Sequence, residues 1–136
     1  MSIVVGYTPS AQGEAALRAG AAQARRTRDC LVVASHHFHD PEAGWTVASP
    51  EQVQEAIAAL GAEELKVTVR TGAPAEDAGE FLLSVAEEEK AALVVIGLRR
   101  KSPIGKLNLG AAARRVVLGS SCPVLTVKES LPLAGR

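Results

Sequence analysis

No charge of one sign dominates this chain. Fifteen Lys and Arg balance fifteen Asp and Glu, and the formal net charge at pH 7 is zero. That balance supplies no general attraction to nucleic acid or to an anionic membrane. Cysteine is scarce, with two residues, Cys30 and Cys122. Two cysteines do not make a disulfide framework, and both read as small packing residues ahead of apolar runs. No apolar run approaches the ~20 residues of a membrane helix. Residues 1–6 enter a strand pattern at once, which leaves no room for a signal peptide and argues for the cytoplasm. Internal repeats and low-complexity linkers are missing too, so the 136 residues predict one domain.

What is present is an alternation of strand and helix signals. Ile3-Val4-Val5-Gly6, Leu31-Val32-Val33-Ala34-Ser35 and Leu93-Val94-Val95-Ile96 are short continuous apolar runs, the mark of strands buried on both faces. Leu65-Lys66-Val67-Thr68-Val69-Arg70 alternates with period two and reads as an edge strand. Cys122-Pro123-Val124-Leu125-Thr126-Val127 reads as the last strand.

Between them, Ser10 caps an Ala-rich helix over residues 11–27, whose basic end suits the helix dipole. Ser49, Pro50 and Gln52 form a capping-box start for a helix that carries Val53, Ala56, Ile57 and Leu60 on one stripe and ends at Gly61. A third helix is expected from about Ala75 to Lys90, and a fourth from about Gly110 to Leu118. Such alternation predicts an α/β domain: a doubly wound, five-stranded parallel sheet of order 3-2-1-4-5 with helices on both faces. The domain is expected over residues 1–128, with 129–136 as a frayed tail.

In that topology a ligand binds outside the carboxyl ends of strands 1 and 4, at the switch point. The residues there are Gly6 to Ser10 and Gly97 to Lys101. The second group opens a basic loop, Arg99-Arg100-Lys101 with Ser102, Gly105 and Lys106, which leads to Gly110 and the helix that starts at Ala111. Strand, basic loop and helix start form an arrangement suited to phosphate, because exposed N–H groups and the helix dipole favour an anion there.

These residues resemble the universal stress protein family, of the single-domain type. Three stretches carry the resemblance: Ile3 to Gly6 with Ser10 before an Ala-rich helix, Leu93 to Leu118, and Ser121-Cys122-Pro123-Val124-Leu125-Thr126-Val127. The resemblance implies a Rossmann-like, adenine nucleotide alpha hydrolase-like fold, and a dimer paired through the last strand, Val124, Leu125, Thr126 and Val127. It also implies a stress-response role exercised by binding, with an adenine nucleotide (ATP or AMP) or phosphate held weakly at the Gly97–Gly110 loop and no metal. ATP-binding members share a glycine, two residues, a second glycine, nine residues, then glycine and Ser or Thr. The first and third glycines fall on Gly97 and Gly110, but Arg100 stands at the second and Ala111 at the hydroxyl position. Thr8 stands where such members often place an Asp. Arg99, Arg100 and Lys106 supply cations in compensation, since a guanidinium fork suits phosphate oxygens.

The site expected from sequence is therefore Tyr7, Thr8, Gly97, Arg99, Arg100, Ser102, Gly105, Lys106, Gly110 and Ala111. Tyr7 is read either as a stacking partner for adenine or as an apolar plug. Three other readings stand beside the nucleotide binder. One is an interaction module for a protein partner, with Arg100 filling the phosphate site. Another is slow ATP hydrolysis, but no nucleophile–base set assembles and no acidic residue follows strand 1 or strand 4 to hold Mg²⁺. The last is a metal tract at His36-His37-Phe38-His39-Asp40, which lacks a second ligand cluster and is read as a solvated loop within the irregular stretch His36 to Ala48. Trp45 is expected to pack on the second helix rather than to form a lid, and Glu87 to Lys90 to be a solvated face.

Overall fold

The computed structural model describes residues 1–99 and 110–129. Its elements in chain order are β1 (Ser2–Tyr7), α1 (Ala11–Thr27), β2 (Cys30–Ser35), β3 (Phe38–Asp40), β4 (Gly44–Thr46) and α2 (Pro50–Ala59), followed by β5 (Val67–Thr71), α3 (Ala78–Glu88), β6 (Ala91–Leu98), α4 (Ala111–Gly119) and β7 (Val124–Lys128). Five strands form one sheet in the order β5-β2-β1-β6-β7. All four pairings are parallel, as in Val4 opposite both Val32 and Val94. Counted by strand rank within this sheet, that is the expected order 3-2-1-4-5.

Alternation along the strands splits the core in two. Ile3, Val5, Tyr7, Leu31, Val33 and Val95 point to the layer of α1 and α2, where they meet Ala16, Leu17, Ala21 and Val53. Val4, Val32, Ala34, Val94 and Ile96 point to α3 and α4, where they meet Phe81, Leu82, Val85 and Val116. Alanines on α1 let that helix lie close to the sheet, so a core with few aromatics still closes.

The caps follow the sequence. Ser10 Oγ accepts from the Gly13 amide at 3.1 Å. Ser49 and Gln52 exchange both capping-box bonds. Each such cap contributes about 1 kcal/mol. The helix expected from Ala75 starts instead at Ala78, because Asp77 accepts from the Glu80 amide and takes the N-cap role, while Ala73–Glu76 closes a turn with a 3.0 Å bond.

The stretch read as irregular contains a small hairpin, with β3 antiparallel to β4. Its turn is built by Asp40, whose carboxylate accepts from the Glu42 and Ala43 amides at 2.8 and 2.9 Å. Gly44 at φ 74° closes it. Those two amide bonds, in that order of importance for Ala43 and Glu42, hold the Asp40 carboxyl below its usual range. Trp45 lies on this hairpin, 61% exposed, with its ring 4.7 Å from that of His37 and 5.4 Å from that of His39.

The Glu87–Lys90 run is not wholly solvated either, since Arg70 on β5 bonds Glu89 at 2.8 Å and also pairs with Glu88. These partly exposed pairs are worth little each. Cys30 and Cys122 are both free thiols. The expected tail falls largely on residues 130–136, outside the described residues.

Candidate functional site

The first turn of α1 is wedged between the ends of β1 and β6. A Cβ added at Gly13 would lie 2.0 Å from the Thr8 carbonyl oxygen, and one added at Gly97 would lie 2.1 Å from the Gln12 carbonyl oxygen. Both glycines are thus required by the packing of the protein on itself. Beside this wedge a crevice of about 200 Å³ opens at the carboxyl edge of the sheet. Gly6, Thr8, Gln12 and Gly13 form one wall, and Leu82, Ile96, Gly97, Ala112 and Ala113 form the floor and the side toward α4. The segment after β2, His36 to Phe38, closes the remaining side.

The polar groups of the crevice are ordered by short local bonds. The Thr8 and Ser10 hydroxyls lie 2.8 Å apart, and the Ser10 amide donates to the Thr8 carbonyl at 2.8 Å. The His36 Nδ1 lies 3.0 Å from the His37 carbonyl, and the His37 Nδ1 lies 2.8 Å from the Pro74 carbonyl. A carbonyl only accepts, so in both rings Nδ1 carries the proton. Burial pushes the His36 imidazole below its ordinary pKa, against the opposing pull of its bond to the His37 carbonyl. The neutral ring is thereby favoured.

The far side of the crevice is the start of α4. The N-cap there is Gly110, with φ −66° and ψ 169° and no side-chain cap bond. The starts of α1, α2 and α3 are all capped by side chains. A Cβ at Gly110 would meet nothing within 4 Å among the described residues. So Gly97 is explained by its contact with α1, and Gly110 is not explained by any contact among the described residues.

Of the residues expected from sequence, Thr8 and Gly97 meet in the crevice. Gly110 and Ala111 stand at the α4 start beside it, although Ala111 itself borders a different, open depression. That depression, of about 650 Å³, is larger but apolar. It is formed by Leu83, Leu118 and Gly119 with Arg114 and Arg115. Arg99 is exposed at the end of β6 and is not part of the crevice wall. Arg100, Ser102, Gly105 and Lys106 lie outside the described residues.

Tyr7 does not line this crevice. It is 2% exposed and belongs to the core under α1 and α2. Strand alternation turns it to the opposite face from Gly6 and Thr8. Burial, and then the Glu14 carboxylate, raise its phenol pKa.

The sequence reading also missed His36, His37 and Phe38. The available signal was their place directly after β2, next to the end of β1. Among the described residues no group of three or more His, Cys, Asp or Glu is placed to hold a metal ion. No described helix is long and apolar enough to cross a membrane.

Comparison with known proteins fits this arrangement. The model of the universal stress protein family matches residues 1–128. A universal stress protein of Mycolicibacterium smegmatis is 35% identical over 126 residues, covering 93% of this chain and 96% of that protein. Among solved structures, a universal stress protein from Archaeoglobus fulgidus superposes with a TM-score of 0.71 at 26% identity, over 94% of this chain and 98% of that one. Another universal stress protein, solved in complex with cAMP, superposes with a TM-score of 0.65 at 26% identity, over 96% and 98% of the two chains. By its sequence, its sheet order and these relatives, the chain belongs to the universal stress protein family.

Proposed function

We propose that this protein binds an adenine nucleotide in the crevice between the ends of β1 and β6, and that it acts in the stress response by binding rather than by catalysis, in the cytoplasm. The uncapped start of α4 carries the reading. Among the described residues its first N–H groups lack a side-chain acceptor and its N-cap is a glycine with no neighbour where a side chain would sit, and its first turn walls the crevice through Ala112 and Ala113. A phosphate fits those requirements, since uncapped N–H groups and the helix dipole both favour an anion. The crevice is smaller than a typical drug-sized pocket of roughly 300–1,000 Å³. It suits a base and part of a sugar, with the phosphate outside it against α4. The cAMP complex of a relative supports the same ligand class. Ala111 offers no hydroxyl, so affinity is expected to be modest.

The test is a thermal melt with millimolar AMP or ATP. Ligand at 100-fold over Kd adds about 2.7 kcal/mol, which raises the Tm of a domain this size by about 8 °C. An unchanged Tm with both nucleotides overturns the reading and leaves the interaction module in its place.

We also propose that the working form is a dimer paired through β7. That strand is the edge of the sheet next to β6. Its Val124, Leu125 and Val127 are only half-buried, and Thr126 is exposed. An open apolar edge is a liability that pairing with a second copy removes. Size-exclusion chromatography with light scattering is expected to give twice the chain mass at micromolar concentration. The mass of one chain under those conditions rejects the dimer.

A further inference from the structure

Strand β1 presents two faces at its carboxyl end. Gly6 and Thr8 face the nucleotide crevice. Tyr7, on the opposite face, borders a second cavity of about 330 Å³ between α1 and α2. The sheet separates the two cavities, so the second is independent of the nucleotide reading.

Tyr7 is 2% exposed, and its hydroxyl has no hydrogen-bond partner among the described residues. Such a group usually has one when buried. The hydroxyl is nevertheless not sealed, because the one sealed and unpartnered side-chain polar atom among those residues is Ser35 Oγ. The small part of Tyr7 that stays accessible thus includes its oxygen, and the space it opens to is this cavity. Tyr7 forms the floor, with its polar atom aimed into the cavity.

The rim is acidic. Glu14 on α1 and Glu55 on α2 border the cavity, and no described Lys, Arg or His does. Neither carboxylate forms an ion pair with a described residue. Arg18, one turn along α1, borders an adjoining hollow with Glu14 but does not pair with it. Burial, and then the nearby Glu14 carboxylate, raise the phenol pKa, so Tyr7 keeps its proton at neutral pH. Gln52 is also on the rim, but its Oε1 accepts from the Ser49 amide at 2.9 Å. Pro9, Ala56 and Ala59 add apolar contact.

The cavity therefore offers three free acceptors, one phenol oxygen and two carboxylates, beside an apolar wall. An anion would meet two like charges. A hard divalent cation needs about six or more oxygens, and no described group of three His, Cys, Asp or Glu is placed to hold one. An alkylammonium ion has three N–H donors and an apolar stem.

We infer that this cavity binds a primary alkylammonium ion, the charged end of an aliphatic amine or polyamine, which donates to Tyr7 Oη at the floor and to Glu14 and Glu55 at the rim. The volume lies at the lower end of small-molecule sites, roughly 300–1,000 Å³, which suits a short stem. Both carboxylates are exposed, so water screens them and affinity is modest. The floor hydroxyl makes the site selective for a cation that carries N–H groups.

The probe is n-butylammonium, titrated at pH 7.5 into the nitrogen-15-labelled full chain without nucleotide. Saturable amide shifts are expected over residues 7–14 and 52–59, with a Kd of about 1–5 mM. n-Butanol, which lacks the charge, and butyltrimethylammonium, which keeps the charge and has no N–H, are each expected to bind at least about fivefold more weakly. Tyr7→Phe keeps the ring in the core and removes a hydroxyl that bonds nothing in the fold, so its Tm is expected to stay within about 2 °C of wild type. Its affinity for n-butylammonium is expected to fall about fivefold or more. Glu55→Gln, a surface change, is expected to weaken binding similarly and keeps the test open should Tyr7→Phe not fold. No saturable shift over these residues overturns the inference. Butyltrimethylammonium binding as tightly as n-butylammonium reduces the effect to diffuse charge attraction and overturns it too. Unchanged affinity in Glu55→Gln, or in a folded Tyr7→Phe, does the same.

Discussion

Gly97→Ala is expected to destabilise the fold by at least about 3 kcal/mol, a fall of about 10 °C in Tm. The added methyl would lie 2.1 Å from the Gln12 carbonyl oxygen and 2.6 Å from its carbon. Neither is the loose end of a side chain. Gln12 is in the first turn of α1, which is held by the bonds of Ser10 to Gly13 and to Thr8. Relieving the contact means lifting the helix start off β1 and β6 and opening the core that Ala16 and Leu17 fill. The glycine that the nucleotide motif assigns to the ligand is thus required with or without one. A melt of the variant without ligand checks this. A Tm within about 2 °C of wild type would show that α1 has room to yield.

Gly110→Val is expected to have the opposite profile: an unliganded Tm close to wild type and AMP affinity reduced about thirtyfold or more. The backbone at Gly110 is extended, with φ −66°, which any residue adopts. A Cβ there meets no neighbour among the described residues, so the cost to the fold is the poorer N-cap propensity of valine, about 1 kcal/mol or less. A branched side chain at the N-cap would, however, crowd the approach of a phosphate to the first N–H groups of α4. Losing one or two charge-assisted bonds, at about 1.5–3 kcal/mol each, gives a reduction of that size. Titration of AMP into both proteins checks it. Equal affinities would remove α4 from the site. Together the two glycine variants separate a residue the fold requires from a residue only a ligand requires, although both belong to one motif.

The two variants also show what the sequence conveyed and what it did not. The strand runs from Ile3, Leu31 and Leu93 were legible because burial on both faces leaves a continuous apolar signal. The helix starts at Ser10 and Ser49 were legible because capping has its own residue code. The start of α3 was not, since Ala75 and Glu76 suit a helix equally well and only the side-chain bond of Asp77 to Glu80 decides the matter. The hairpin was hidden because three-residue polar strands carry no periodicity. Its turn depends on one Asp side chain bonding two amides.

At the site, Thr8 and Gly97 followed from the switch-point rule. Position after the first strand suggests the crevice for Tyr7, whereas strand alternation sends neighbours to opposite faces. The switch-point rule names only the ends of strands 1 and 4, and so omits His36, although the chain leaving β2 also reaches the crevice. Gly97 was read as a ligand residue, although the approach of α1, which depends on tertiary packing, already requires it.

The hairpin has one more consequence, for measurement. Trp45 is the only tryptophan of the chain. It stands on the surface between the rings of His37 and His39, while the core beneath the sheet contains none. Indole emission from this protein therefore originates at one place, over the segment that carries the crevice residues His36 and His37. It reports the state of that hairpin and not the state of the sheet. Unfolding followed by fluorescence and by far-ultraviolet circular dichroism then monitors two different parts of the molecule. Any separation between the two curves measures how tightly the hairpin is tied to the domain that bears it.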